Sequence, residues 1–228
     1  MENCNSKKEK NQLVISYLAM RKAIGILGVS LPFILAIGYS IACGCCGIKS
    51  SISIYYYTSM GDVFVGIMCI VAFFLISYKG CQCIDNIAGD LGGIFALGVA
   101  FFPCAPDKPF PDEFPLASNL HLICAALFFA VLIFFSVYLF TKSDKKRAER
   151  TKRKKQRNVV YWICGIIMFI CIAGIPLFDF WFPETSTCHP EFWLETIALI
   201  AFGISWLTKG EMILKDISKD HPSPQNVP

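Results

Sequence analysis

The stretch LHLICAALFFAVLIFFSVYLFTKSDKKRAERTKRKKQRNVVYWICGIIMFICIAGIPLF (residues 120–178) decides the fold. Two long apolar runs flank a block, residues 142–157, that holds ten of the 21 Lys and Arg residues of the chain. The first run carries no charge between His121 and Phe140. A bilayer core of about 30 Å needs roughly 20 apolar residues in helical form. Each run meets that length, and neither shows the strict alternation of a membrane β-strand. A helix also pairs every backbone N–H and C=O within the segment, as hydrocarbon requires.

Working outward, four further apolar runs appear. The six predicted spans are about 23–43, 62–78, 87–102, 120–140, 159–178 and 192–207. The second, third and sixth are near the short limit. The expected fold is therefore an all-α, polytopic membrane helix bundle of six transmembrane helices. Residues 1–21 form an N-terminal tail, 22–207 the membrane domain and 208–228 a C-terminal tail. Pro32 and Pro176 are expected to bend or end their helices. Pro103 closes the third span, and Ser118 or Asn119 is the expected N-cap of the fourth. Ser40-Ile41-Ala42-Cys43 loosely resembles a lipoprotein cleavage site, but Ser40 stands where a Leu-like residue is expected. The apolar stretch also exceeds a signal peptide's usual 7–15 residues. The first span is expected to be retained.

Composition agrees. Of the 228 residues, 55% are hydrophobic and 17% charged, which is too much apolar side chain to hide inside one soluble globule of this size. The net charge of +4 is mild, yet its placement is directional. With the basic block on the cytoplasmic side, alternation puts both termini there too. That side then collects 19 basic and nine acidic residues, and the other side two and eight, for net charges of +10 and −6. The block's Lys145, Lys146, Arg147, Lys152, Arg153, Lys154 and Lys155 are placed to touch anionic lipid head groups. It lacks interleaved aromatic residues, so no nucleic-acid partner is expected.

Candidate chemistry gathers at the opposite leaflet. Asp62 opens the second span, His121 the fourth, and Glu195 lies one turn inside the sixth. Ionisable groups in a membrane usually face the bundle interior. The three are candidate catalytic residues, able to move a proton or act as acid and base. Ser51, Ser53 and Tyr56 are expected at the same mouth as ligand-binding candidates. Asp90, at the cytoplasmic start of the third span, is another, as an inner gate or a partner of Lys79 or Lys209. A helix N-terminus alone also accounts for an acid at Asp62 or Asp90. Gly89 and Gly93 form a GxxxG pair that lets helix backbones approach, centring the third helix in the bundle or joining two copies. Cys104 and Cys188 are candidates for a disulfide between outer loops. There is no HxxxH, HExxH, Walker loop, GxSxG or dinucleotide fingerprint, and no metal or cofactor is expected.

Four segments carry a resemblance: SISIYYYTSMGDVFVGIMC (51–69), DNIAGDLGGIFALGVAFFP (85–103), RKKQRNVVYWICG (153–165) and FWLETIALIAFGISWLTKGE (192–211). They look like small bacterial inner-membrane proteins of about six helices, a group that brings a fold and a location but no reaction. More distantly, the chain is similar to the seven-helix hydrolases related to alkaline ceramidase and the progestin/adiponectin receptors. Those use Ser, Asp and three His around zinc. Ser51 or Ser53, Asp62 and His121 fit that pattern; the final HxxxH is missing and Glu195 stands in the sixth helix instead. The expected function is binding of a lipid or small molecule, or support of a membrane process. The alternative is a membrane hydrolase or proton-coupled transporter that uses Asp62, His121 and Glu195.

Overall fold

The computed structural model describes residues 2–44, 47–80, 82–107, 110–111, 113–142, 152–181 and 189–214, with side chains from Tyr17 onward except at positions 179 and 180. Among these residues the regular structure is helical. The α-helices are α1 (Glu2–Cys43), α2 (Gly61–Ser77), α3 (Cys83–Phe101), α4 (Pro115–Phe134), α5 (Lys152–Trp181) and α6 (Pro190–Lys209). A 3-10 turn, Ser53–Tyr57, precedes α2, and a π-helical turn, Phe135–Leu139, extends α4. Five helical stretches, all but α2, are long and apolar enough to cross a membrane. At 17 residues α2 is the short one.

Several local expectations are corrected. Pro32 and Pro176 lie inside the continuous helices α1 and α5 and end neither. The fourth helix begins at Pro115, ahead of Ser118 and Asn119, with Phe114 at the N-cap. Proline suits the first helical position because its missing N–H has no partner there anyway. Ser118 instead donates its hydroxyl back to Phe114 O. The third helix begins at Cys83, earlier than hydropathy implies, because Gln82 and Asp85 form a reciprocal capping box.

The helices form a closed ring in chain order. Each packs on its sequence neighbours, and α1 closes the circle on α6. Small residues set the contacts. A Cβ on Gly25 would sit 2.9 Å from Gly203 O, and one on Gly203 would sit 2.6 Å from Gly25 O, so α1 and α6 meet backbone to backbone. On α3, a Cβ at Gly89 would lie 2.6 Å from Leu75 O, and one at Gly93 would lie 2.8 Å from Ala72 O and press on Ile76. The close approach these two glycines allow is thus made to α2 of the same chain. Outward faces are apolar, with Phe33, Phe73, Leu122, Phe169 and Ile170 all exposed. So large an apolar exterior matches a lipid environment.

The two ends of the ring differ. The end formed by the α2–α3 and α4–α5 connections and the last turn of α6 is basic. It is closed by an aromatic plug in which Trp206 touches the rings of Tyr78, Phe135, Phe140 and Phe202. Beneath it Ser205 and Ser136 are 2.8 Å apart, and Ser136 donates to Tyr161 O. Because Ser136 spends its proton on that carbonyl, Ser205 is the donor between the two hydroxyls. At the other end, residues 47–60 dip into the mouth.

Glycine contacts generate a stability prediction. Gly93→Ala should destabilise the detergent-solubilised protein by about 1–3 kcal/mol, because the Ala72 carbonyl cannot yield as a side chain can. Gly66→Ala, whose Cβ meets nothing within 4 Å, should be neutral or stabilising by up to about 1 kcal/mol. Paired thermal-unfolding curves in one detergent check both.

Candidate functional site

The mouth opposite the basic end is built on Tyr55. This ring is 0% exposed and wedges between Tyr39 of α1 and Phe192 of α6. Its hydroxyl accepts the Lys49 N–H at 3.3 Å, and burial pushes the phenol above its ordinary pKa. Lys49 lies over the Tyr39 ring, and hydrogen bonding to Tyr39 raises the ammonium pKa. Further ties hold the segment: Phe192 N–H donates to Ser50 O at 2.9 Å, and Tyr57 hydroxyl donates to Cys104 O at 2.6 Å. The Tyr55–Tyr57 run therefore does two jobs. Tyr55 is core, while Tyr57 is exposed at the rim and Tyr56 packs edge-on against it.

This anchoring brings two strap residues to polar partners from distant helices. His121, 5% exposed near the start of α4, places Nδ1 2.8 Å from Phe102 O and Nε2 3.0 Å from Ser53 Oγ. A carbonyl only accepts, so Nδ1 carries the proton. In the neutral ring Nε2 is then the acceptor, and Ser53 donates to it. One helical turn inside α6, Glu195 Oε2 accepts the Ile52 N–H at 2.5 Å. The carboxylate thereby pairs a backbone donor that the ring interior would otherwise leave without one.

Ser53 and Glu195 border one small cavity on the ring axis. Its other walls are apolar, including Leu31 of α1, Phe64 and Met68 of α2, Val99 of α3 and Phe128 of α4. It has room for only a few water molecules. Chemically, the site offers a hydroxyl held against an oriented imidazole, and a carboxyl group across a small, mostly apolar cavity. Nucleophile, base and orienting group in one hydrogen-bonded chain is the arrangement that activates a hydroxyl.

The other candidates fall elsewhere. Asp62 is exposed in the first turn of α2, outside the cavity, where the positive end of the helix dipole favours an acid. The expected Asp62, His121 and Glu195 grouping is therefore corrected: Ser53 stands beside His121, and Glu195 faces the same cavity. Ser51 accepts the Ile54 N–H at 3.3 Å, just ahead of the 3-10 turn whose N-cap is Ile52. Asp90 lies near the opposite end and pairs with Lys79 at 3.1 Å, both half-exposed. Among the described residues no group of three His, Cys, Asp or Glu converges as a metal site. Cys104 is buried, and its proposed partner Cys188 lies outside the described residues. So do Lys145, Lys146 and Arg147. Lys152, Arg153, Lys154 and Lys155 occupy the first turn of α5, with Lys154 donating to Phe140 O at 2.8 Å.

Sequence reasoning reached His121, Glu195 and Ser53 but missed the Phe102 carbonyl and the Ile52 N–H. Backbone groups carry no residue signature. The usable signal was Tyr-rich 55–57 ahead of a helix, which marks a segment with enough aromatic surface to be buried. Comparison with family models, curated proteins and solved structures finds no match.

Removal of the Glu195 acceptor tests the local accounting. Glu195→Ala leaves the Ile52 N–H without its partner and should destabilise by about 1–3 kcal/mol. Glu195→Gln keeps an acceptor oxygen and should lose less than half as much. Thermal unfolding of both variants in the same detergent checks the order.

Proposed function

We propose that this chain is a six-span integral membrane protein that holds a lipid or other small amphiphile by its polar end at the mouth opposite the basic end. The observation that carries this reading is the pairing of Ser53 and Glu195 on one otherwise apolar cavity, reached through helices whose outer faces are apolar. A ligand hydroxyl meets two acceptors there, Ser53 Oγ and the Glu195 carboxyl oxygens, while an apolar remainder stays in hydrocarbon. The +10 and −6 charge split supports an orientation with the basic end and both termini cytoplasmic, and α2 as a short sixth span. Location in the cytoplasmic membrane of a bacterium belongs to the same reading. Anionic lipid at the Lys152–Lys155 turn belongs to the same reading.

The Ser53–His121–Phe102 chain favours a second reading, ester hydrolysis. Ser53 Oγ attacks the ester carbonyl carbon as its proton passes to His121 Nε2. That proton then goes to the departing alkoxide, leaving an acyl-serine. Water, deprotonated by the same nitrogen, attacks the acyl carbon; Ser53 regains the proton and the carboxylic acid leaves.

One experiment separates the readings. Purified protein in nanodiscs is given a fluorescent monoacylglycerol for binding and p-nitrophenyl butyrate for turnover. The binding reading expects saturable fluorescence that weakens about tenfold or more in Glu195→Ala, which removes a hydrogen-bond acceptor from the cavity wall. The hydrolytic reading expects turnover that falls about 100-fold or more in Ser53→Ala. Neither binding nor turnover by the wild type rejects both. Orientation has its own check: a membrane-impermeant protease should cut the 142–157 loop in inside-out vesicles and spare it in right-side-out ones.

A further inference from the structure

Between α3 and α4 lies an outward-facing groove of about 420 Å³ that the proposed function does not use. The two helices approach closely at buried Gly92, where a Cβ would lie 3.2 Å from Val131. Buried Ala88 floors the groove, and the exposed side chains of Leu91 and Leu127 form its rims. Every side chain that lines it is apolar. Along α3 it runs from Ile84 to Phe95, about 16 Å of helix. That is the depth of one leaflet in a hydrocarbon core roughly 30 Å thick. A groove touches an inserted chain on two sides, so it gathers more dispersion contacts than a single helix face.

At the basic end of the ring the groove runs into a polar ladder. Phe134, which lines it on α4, stacks on Tyr138 with ring centres 5.1 Å apart. Tyr138 is half-exposed, as a tyrosine at a membrane–water interface would be. Lys142 Nζ lies 4.7 Å from the centre of the Tyr138 ring. Lys142 also reaches across to the start of α3, donating to Gln82 Oε1 at 2.8 Å. Its ammonium stands 3.7 Å from Asp85 Oδ1, too far for an ordinary hydrogen bond. The other carboxylate oxygen, Oδ2, accepts the Gln82 N–H at 3.1 Å. An ammonium has three donors, and a carboxylate has about four acceptor sites. Lys142 and Asp85 therefore retain hydrogen-bonding capacity for a ligand, as a cation beside an anion. Such a pair complements a head group that carries both charges. An anionic head group would bring its charge against Asp85, and a choline has no N–H to donate to it.

We infer that the α3–α4 groove seats one acyl chain of phosphatidylethanolamine, whose phosphate meets Lys142 and whose ammonium meets Asp85. Groove depth, interfacial tyrosine and paired charges follow one lipid molecule from its chain to its head. This site lies apart from the Ser53 mouth and requires only that the helices cross a bilayer.

The test uses the full-length protein in a non-ionic detergent. Phosphatidylethanolamine with a diazirine on one acyl chain is photo-crosslinked, and labelled peptides are identified by mass spectrometry. Saturable labelling is expected on residues 84–95 and 127–134. Unlabelled phosphatidylethanolamine should compete about tenfold better than phosphatidylcholine or phosphatidylglycerol. Ala130→Trp, at an exposed lining position, fills the groove and should cut labelling about tenfold or more. Lys142→Gln should weaken labelling in the same direction. Asp85→Asn, which keeps an acceptor for the helix cap, should erase the preference over phosphatidylcholine. Lys79→Gln, altered at a half-exposed pair that does not line the groove, should label as the wild type does. Glu195→Ala, at the opposite mouth, should also leave this labelling unchanged, so the two sites stand or fall separately. If gel filtration shows that Ala130→Trp does not fold, Leu91→Trp replaces it. Labelling spread over the outer faces of all the helices overturns the inference. Equal competition by the three lipids, or unchanged labelling in a folded Trp variant, does so too. A dimer that the Trp variant splits into monomers assigns the groove to a second copy and equally overturns it.

Discussion

The ring closes because α1 and α6 approach until their backbones touch at Gly25 and Gly203. Everything inside depends on that contact. Lipid surrounds the helices with material as apolar as their own side chains, so the hydrophobic effect does little to draw one helix to another. Shape and close backbone approach must do it. The same device recurs between α2 and α3 at Gly89 and Gly93, where the carbonyls of Leu75 and Ala72 occupy the space a side chain would take. Between these tight seams lie bulkier ones, and the remaining axial space is filled by aromatic rings at one end and by residues 47–60 at the other.

That division gives the two ends opposite characters. At the basic end, Trp206 and its ring neighbours seal the axis, and the cations gather above the seal. At the opposite end the filling is a strap of main chain, and main chain brings polar groups that must be paired. Glu195 pairs the Ile52 N–H, and His121 receives the Ser53 hydroxyl while giving its own proton to Phe102. The polar chemistry of the mouth is thus a consequence of closing a helical ring with a non-helical segment. Irregular backbone at membrane depth persists only where protein or a wet cavity meets its hydrogen bonds.

The π-helical turn at Phe135–Leu139 belongs to this logic. In it Phe135, Ser136 and Leu139 are all buried, and Ser136 meets both Ser205 and Tyr161. Such turns arise where a side-chain contact outweighs one backbone bond of ideal geometry.

By itself the sequence determined the apolar helices, their chain order and the directional charge, because hydropathy and Lys/Arg placement are local properties read against a bilayer of known thickness. It also marked His121, Glu195 and Ser53, since polar residues in or beside apolar runs stand out. It misjudged the company of Asp62, which belongs to the same end of the ring but faces outward. A one-dimensional reading gives depth along a helix and not the direction around it. The ring closure decided that direction, and with it the pairing of Ser53 with His121. It likewise made Tyr55 core and set Arg21 and Lys209 over the rings of Tyr78 and Phe140. Those groupings rest on backbone carbonyls, amides and glycine contacts spread over more than a hundred positions of sequence. Only the folded chain brings such partners within a hydrogen bond of one another.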